Sequence, residues 1–455
     1  MQISLVVPNR NNLKYFKWSY DSIRKNQGNH EVWICSAVDA CNDGTLEWYE
    51  ELAKNDPYFK YIVNNGPERL GHTILYNKIV DDLVETDLAM IWHCDMYLCP
   101  EALDEIEKLM YEKKFIPRNE LDQFKLDEFE TDLGCRLDGM NVKFKIKKRI
   151  ASLTRIEPPL HPSGYEKILA HFGTEPEDFD EVGLLTQLFV WKNLNDWKQI
   201  DLNGNEFYVP LKGTTAGVFA PWAFWVDEFK KIGGHDFLYA PQSKEDDDIW
   251  NRFLLNGVEF VQTREGYCYH MTCRGSRFNP FLTEPGKSSE EWEIHNQKST
   301  RNYIRKWGTF IHHENCGKPI VSPRFNIGFN FKNLTYDLLY LLEPWCDSIM
   351  VESHFETLQI IAKYKEMEKP NTKFNLDDKF FLHWDIITPE IQVDIDVRTF
   401  NTTDWQHIQY LNDIINETGE IGEFELGNLK IKINAMNHYE QDLIICKNEP
   451  ILLDA

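Results

Sequence analysis

The 455-residue sequence contains no uninterrupted apolar run of about 18 residues, the minimum for a helix that crosses a bilayer. Its amino-terminal stretch, MQISLVVPNRNN, turns polar at Asn9 and offers neither the apolar segment nor the cleavage site of a secretory signal. A soluble, cytoplasmic protein is expected on both counts. The 10 cysteines include no CxxC pair and show no disulfide-framework spacing, which points to reduced, mostly buried thiols. Positive charge is scarce too: 49 Lys+Arg stand against 73 Asp+Glu, for a net charge of −24 and a pI near 5.0. Proteins that track nucleic-acid polymers gain affinity by displacing counterions with Lys and Arg, so this balance argues against that class of partner. Nor does the chain repeat at any solenoid or propeller period.

Apolar residues are not among the shortages. At 42 % hydrophobic and 13 % aromatic, the chain has ample material for a core despite its charge. Strand and helix patterns alternate through the first hundred residues: Ile3 to Val7 then Leu13 to Arg24, Val32 to Ile34 then Leu46 to Ala53, Tyr61 to Val63 then LGHTILYNKIVDDLV, and finally LAMIW, which ends at HCD. This alternation predicts an α/β fold with a mainly parallel, Rossmann-like sheet, its ligands bound beyond the carboxyl ends of the strands. Between residues 111 and 212 the rhythm fails. There the alternating VKFKIKKR, the stiff RIEPPLHPSG and the helical GLLTQLFVWKNL read as an insertion or elaboration. The α/β pattern resumes at Gly213 and runs to about Gly308. Residues 311–455 carry −12 of the net charge and mix the alternating stretches IQVDIDV and LKIKINA with the helical LQIIAKYKEMEK. A separate α+β domain is therefore expected after a first domain of residues 1–310, with antiparallel or edge strands at the two alternating stretches.

Two acidic features stand out. Asp95 ends the LAMIW strand, and EDDD at 245–248 precedes a helix. Strand-end carboxylates in an α/β sheet point into its ligand crevice, where a divalent cation and phosphates can be held. Each feature alone also has a plainer use, as a helix cap or as an acidic first turn favoured by the helix dipole.

Five segments, in order, carry a resemblance: SLVVPNRNN, VDACNDGT, RLGHTILYN, WHCDMYL, and IGGHDF with KEDDDIWNRFLLNG. Together they resemble family 2-like glycosyltransferases of the GT-A fold, and EDDDIWNR with the Pro8-to-Asn11 start is similar to β-1,4-galactosyltransferases. The resemblance covers residues 1–110 and 213–280, and leaves 311–455 without a counterpart. It implies a GT-A catalytic domain with an acceptor-side elaboration at 111–212. The activity implied is metal-dependent, inverting transfer of a sugar, a hexose by expectation, from a nucleotide-sugar donor such as a UDP-sugar to a saccharide or glycan acceptor. Mn²⁺, or Mg²⁺, would neutralise the charge gathering on the diphosphate leaving group. The family's Asp-x-Asp metal motif reads His93-Cys94-Asp95 here. Asp95 is thereby the metal ligand, and His93 is left to coordinate, to donate a hydrogen bond or to pack. His270, in GYCYHMTCRGSRF, falls about where such families place a second ligand, and an imidazole tilts the choice toward Mn²⁺. Arg274 and Arg277 could steady the diphosphate.

The same resemblance places the donor against Pro8, Asn9, Arg10, Asn11, His93 and Asp95, with Asp39 at the base and Arg69 and Gly71 at the next helix start. The loop holding Asp39 is one residue short of the common pattern, so Asp43 competes for the base. An inverting transfer needs a carboxylate to take the acceptor's proton. The motif gives that part to Asp246, with Glu245 and Asp247 on the acceptor sugar and Asp248 anchoring the helix. Trp222, Trp225 and Tyr239 could stack on sugar rings, although core packing suits them better. Arg155, Glu157 and His161 could face the acceptor or a phosphate. Two rivals stand beside this expectation. One is a nucleotide- or carbohydrate-binding protein that keeps the fold without turnover, suggested by His93; the other is a nucleotidyltransferase, whose Gly-rich basic phosphate loop PNRNN does not supply.

Overall fold

The computed structural model describes residues 1–116, 135–137, 140–201, 203–272, 288–382 and 388–451. Its first strands, β1 (Gln2–Asn9), β2 (Glu31–Asp39), β3 (Phe59–Asn64) and β4 (Leu88–Ile91), alternate with α1 (Leu13–Asn26), α2 (Thr45–Asn55) and α3 (His72–Asp82). β1 pairs in parallel with β2 and β4, and β2 with β3. Ile3, Leu5, Val6 and Val7 are consecutive or near-consecutive and all buried, as expected of a parallel strand covered on both faces. β2 runs on through Ala37–Asp39, which the polar stretch AVDACNDGT suggests is already a turn; pairing of Val38 with Asn9 and of Asp39 with Asn64 extends it.

The first unit continues with β5 (Met96–Leu98), α4 (Ala102–Met110), β6 (Arg149–Glu157), β7 (Lys167–Leu169), α5 (Glu181–Trp191), β8 (Thr214–Thr215) and β9 (Trp222–Trp225). α6 (Val226–Lys231), α7 (Glu245–Leu255), β10 (Glu259–His270) and α8 (Glu290–Trp307) follow. The main sheet has the order β8-β10-β6-β9-β4-β1-β2-β3, with β7 beside β6 and β5 beside β10. β9 runs antiparallel to β4 and β6, while β6 and β10 are parallel, so the sheet is mixed but mainly parallel.

Here the structure differs from the sequence boundary. β6 falls inside the 111–212 stretch read as an insertion, yet it is an interior strand of the main sheet. All nine of its residues are buried, so it shows none of the alternation that marks a half-buried strand, and its charged residues disguise it further. The hairpin of Asp196–Ile200 with Glu206–Pro210 does stand off the main sheet, as do the strands Lys113–Ile116, Cys135–Leu137 and Met140–Ile146.

A second core forms beyond residue 310. β11 (Ile327–Lys332), α9 (Tyr336–Leu342), β12 (Ser348–Val351), α10 (Phe355–Glu368), β13 (Phe380–Phe381) and β14 (Ile391–Asp396) lead to α11 (Thr402–Gln409), α12 (Leu411–Thr418), β15 (Gly422–Leu426) and β16 (Leu429–Ile433). The six strands lie in the order β13-β12-β11-β14-β16-β15. The first four are parallel, and the β15–β16 hairpin joins them antiparallel. The alternating IQVDID is thus an internal strand, parallel on one side and antiparallel on the other.

α8 joins the two cores. Tyr303 and Trp307 pack with Leu238 and Tyr239 of the first unit. Arg301 and Arg305 turn to the second, where Arg301 Nε lies 2.9 Å from Glu368 and Arg305 Nη2 2.6 Å from Glu343. The chain later returns to the first unit. The Cys446 N–H donates to the Ile232 carbonyl at 3.1 Å, and Asn448 Nδ2 donates to the carbonyls of Gly233 at 3.1 Å and His235 at 2.8 Å. No helix among the described residues is long and apolar enough to cross a membrane.

Candidate active site

A cleft of about 660 Å³ opens at the carboxyl ends of β1, β2 and β6 and beside the turn after β4. Pro8, Asn9, Arg10, Asp39, Arg69, Gly71, His93, Asp95, Glu245, Asp246 and His270 all line it, as do Arg155, Glu157 and His161. Asn11 and Asp247 do not. Asn11 holds the neighbouring loop instead, its side-chain oxygen accepting the Asn42 N–H at 2.8 Å. Asp43 is likewise a turn residue, accepting the Leu13 N–H at 2.9 Å and the Thr45 hydroxyl at 2.5 Å. Trp222 and Tyr239 are core residues, and none of the three aromatics weighed for sugar stacking reaches the cleft; Tyr76, Phe219 and Trp292 do. Arg274 and Arg277 lie outside the described residues.

His93, Asp95 and His270 bring their ligand atoms within 4.8 Å of one another. The cause is a long-range register: β5 pairs with β10 so that Met96 stands opposite His270, which carries the preceding turn to the end of β10. His270 Nε2 is 3.4 Å from Asp95 Oδ1, and its Nδ1 is 2.8 Å from Glu157 Oε1. Burial alone would lower the His270 pKa, but Asp95 and Glu157 outweigh it and raise it to about 9. His93 has the opposite balance. Burial, reinforced by His270, pushes it down to about 4, so it is a neutral imidazole with a lone pair to give. Asp95 is held below the ordinary carboxylate range because His270 and His93 outweigh its burial. Two imidazoles and a carboxylate fit a transition-metal dication better than Mg²⁺, which takes oxygen ligands.

The four acids of α7 diverge because successive helix positions turn by about 100°. Glu245 Oε1 lies 2.6 Å from His72 Nε2. Burial opposes charge on both groups, yet their attraction prevails, raising His72 and lowering Glu245. The other oxygen of Glu245 is buried and has no hydrogen-bond partner among the described residues. Asp246 is more open, with 39 % of its side chain exposed, and its Oδ1 is 3.9 Å from Nε2 of the fully buried His235. Asp247 is pushed up to about 7 by burial, against Lys244, with Asp246 and Glu245 adding to the rise. Asp248 points inward, accepting from Arg252 Nε at 2.7 Å and Trp307 Nε1 at 2.9 Å, with Lys306 Nζ 2.7 Å away. Lys306 and Arg252 outweigh its burial and hold it at about 2, so Asp248 ties α7 to α8.

The loops after β2 and β3 are fixed by Asp39. Its Oδ1 accepts from Asn64 Nδ2 at 2.7 Å and from the Leu70 N–H at 2.9 Å, and its Oδ2 accepts the Gly71 N–H at 3.0 Å. Arg10 Nη1 donates to the Asp39 carbonyl at 3.1 Å. Gly71 lies so close to the 240–244 loop that a Cβ on it would meet the Pro241 oxygen at 2.2 Å. Arg69 pairs with Glu291 of α8 at 2.7 Å. Sequence reasoning misses His72, Lys167, Ser243 and Trp292, all in the cleft wall. His72 stands inside RLGHTILYN and could have been found there; the others carry no local signal.

No protein-family model matches the chain, and no curated protein matches it. Solved structures to which it is similar include TarS of S. aureus, at 12 % identity and a TM-score of 0.34 over 60 % of this chain and 37 % of that one. Another is the mannosyltransferase PcManGT from Pyrobaculum calidifontis in complex with GDP-Man and Mn²⁺, at 13 % and 0.36 over 67 % and 63 %. A third is GalNAc-T7 with UDP, GalNAc and Mn²⁺, at 12 % and 0.35 over 67 % and 48 %. In each case the chain spans less than two thirds of the other protein's length.

Proposed function

We propose that the chain is a metal-dependent, inverting glycosyltransferase of the GT-A type that moves a sugar, a hexose, from a UDP-sugar donor to a saccharide or glycan acceptor. One observation carries the reading: a single cleft at the strand ends of a mainly parallel sheet holds the His93, Asp95 and His270 donor cluster together with the carboxylates Glu245 and Asp246. In this reading residues 1–310 are the catalytic domain and 311–455 an accessory one.

The nucleotide lies along Pro8, Asn9 and Arg10 and over Gly71, with Arg10 and Arg69 as its cationic contacts and Asp39 holding the loops in place. His93, Asp95 and His270 would hold the cation, Mn²⁺ in preference to Mg²⁺, which when bound offsets the negative charge developing on the diphosphate. Asp246 is the more exposed of the two α7 acids in the cleft, and it takes the proton of the acceptor hydroxyl. As it does so, that oxygen bonds to the anomeric carbon and the bond from this carbon to the diphosphate oxygen breaks, leaving its electron pair on the departing UDP. Glu245, kept ionised by His72, offers its unpartnered oxygen to another acceptor hydroxyl.

Asp246→Asn tests the assignment. UDP release and sugar transfer from a panel of UDP-sugars should fall by at least about 10²-fold while the protein stays folded, and EDTA-treated wild type should regain turnover on addition of Mn²⁺. Undiminished transfer by D246N, or equal rates with and without metal, would refute the proposal. A wild type that binds UDP in calorimetry and releases none from any sugar donor is the binding protein instead.

A further inference from the structure

Glu157 closes β6 and is 1 % exposed, and three groups converge on it. Its Oε1 lies 2.8 Å from His270 Nδ1 and 3.0 Å from Arg155 Nη1, and its Oε2 lies 3.0 Å from Lys167 Nζ. Strand register builds the group. β6 runs parallel to β10 with Ile156 opposite Tyr269, and β7 runs beside β6 with Leu169 opposite Glu157. Arg155 is itself fixed, its guanidinium 3.7 Å over the Phe219 ring.

Two plain uses for such a carboxylate are a counterion for buried cations and a contact to substrate. Arg155 and Lys167 satisfy the first, but a counterion alone does not fix which nitrogen of His270 meets which carboxylate. The His270 ring stands between two carboxylates with one nitrogen turned to each, and Glu157 takes Nδ1, so that Nε2 is the nitrogen directed to Asp95. In the neutral ring that a metal requires, when one nitrogen donates its N–H to a carboxylate the other keeps a lone pair, and the ring's tautomer and plane are set together.

We infer that Glu157 is a positioning residue of the metal centre: it accepts the Nδ1–H of His270, aims Nε2 at the cation, and is clamped in turn by Arg155 and Lys167. The inference rests on the proposed metal-dependent reading and assigns Glu157 no contact with the reacting atoms. Its strength is set by hydrogen-bond geometry. Glu157→Gln keeps the shape but offers the imidazole a neutral amide oxygen at best and sets an amide NH₂ among cations. Glu157→Asp keeps the charge and withdraws it by one C–C bond, about 1.5 Å.

The test is Mn²⁺ binding to the full chain without substrate, followed by EPR, with pulsed EPR reporting the ¹⁴N coupling of a bound imidazole. Wild type should bind Mn²⁺ and show that coupling, and D95N should lose the binding. E157Q should bind about 10–100-fold more weakly with the coupling diminished, and E157D should fall between. E157Q that matches wild type in affinity and coupling, while D95N does not, overturns the role of Glu157 and leaves the metal reading intact. Wild type that binds no Mn²⁺ overturns both. Should E157Q fail to fold, E157D decides by the same titration: weakened binding supports the inference, and unchanged binding overturns it.

Discussion

Replacing Gly71 by alanine strains the tightest backbone approach in the cleft. Gly71 has φ 82° and ψ 161°, a region that costs a residue bearing a Cβ about 1–3 kcal/mol. Space is a second and separate difficulty. The alanine Cβ would sit 2.2 Å from the Pro241 oxygen and 2.4 Å from its Cβ, where ordinary contact begins at 3.4 Å. The start of α3 and the 240–244 loop must therefore separate by roughly 1 Å, an overpacking strain of about 1–3 kcal/mol. Gly204 provides the control, because it has nearly the same φ, +81°, and nothing among the described residues within 4 Å of its would-be Cβ. G71A should lose about 2–6 kcal/mol of stability and G204A only the backbone share, about 1–3 kcal/mol, read from urea unfolding of the full chain. Function should separate the two further. Opening the loop carries His72 away from Glu245, now 2.6 Å distant, and under the proposed function a misplacement of this size should cost about 10²-fold in turnover of a UDP-sugar, whereas G204A should turn over at the wild-type rate. Equal unfolding midpoints for the two variants, or wild-type turnover in G71A, would refute the packing described.

Acid stability should follow Asp248. Its carboxyl is held at about 2, below the usual 3.8, so it contributes about 2 kcal/mol that is present above pH 4 and lost as pH falls through 2. D248N should remove that slope from the stability–pH curve and, by leaving the buried Arg252 without its carboxylate while Lys306 keeps Asp236, destabilise the chain by about 3–5 kcal/mol at pH 7; a curve parallel to that of wild type between pH 4 and 2 would contradict it. His93→Ala should weaken Mn²⁺ binding at least about tenfold in the EPR titration, and unchanged affinity would make His93 a packing residue.

The early strands are legible because a parallel strand buried on both faces reads as an apolar run, as ISLVV and LAMI do. β6 is not, because Arg149, Arg155 and Glu157 put charges into a buried strand. Their partners, Glu112 and Glu259 for Arg149 and, for Glu157, its neighbour Arg155 with Lys167 and His270, come mostly from other segments. In the cleft, Asp95 and His270 are found through the order of motifs. His93 stands in the same motif as Asp95, whereas the meeting of His270 with that turn depends on the pairing of β5 with β10, a contact that no local pattern announces. The acidic run is visible at once, but which acid faces the cleft is set by where α7 begins, and Glu245 is its first residue. Internal placement of β14 is hidden for a related reason: alternation reports which face is buried, not which strands lie on either side.

Residues 444–448 lie against the Gly233–His235 loop, directly behind Asp246, and this has a consequence in time. The Phe237 N–H is received by Asn448 Oδ1 at 2.8 Å, across a separation of 211 residues. A ribosome adding about 5–20 residues per second reaches Asn448 roughly 10–40 s after Phe237 has been made. Throughout that interval the Phe237 N–H and the Gly233 carbonyl lack the partners that Asn448 supplies, while Asn77 and Arg252 already hold the His235 amide and carbonyl and the Gly234 carbonyl. The first unit is thus begun first and finished last, because the final hydrogen bonds to its 233–237 loop wait for a tail made after the second unit.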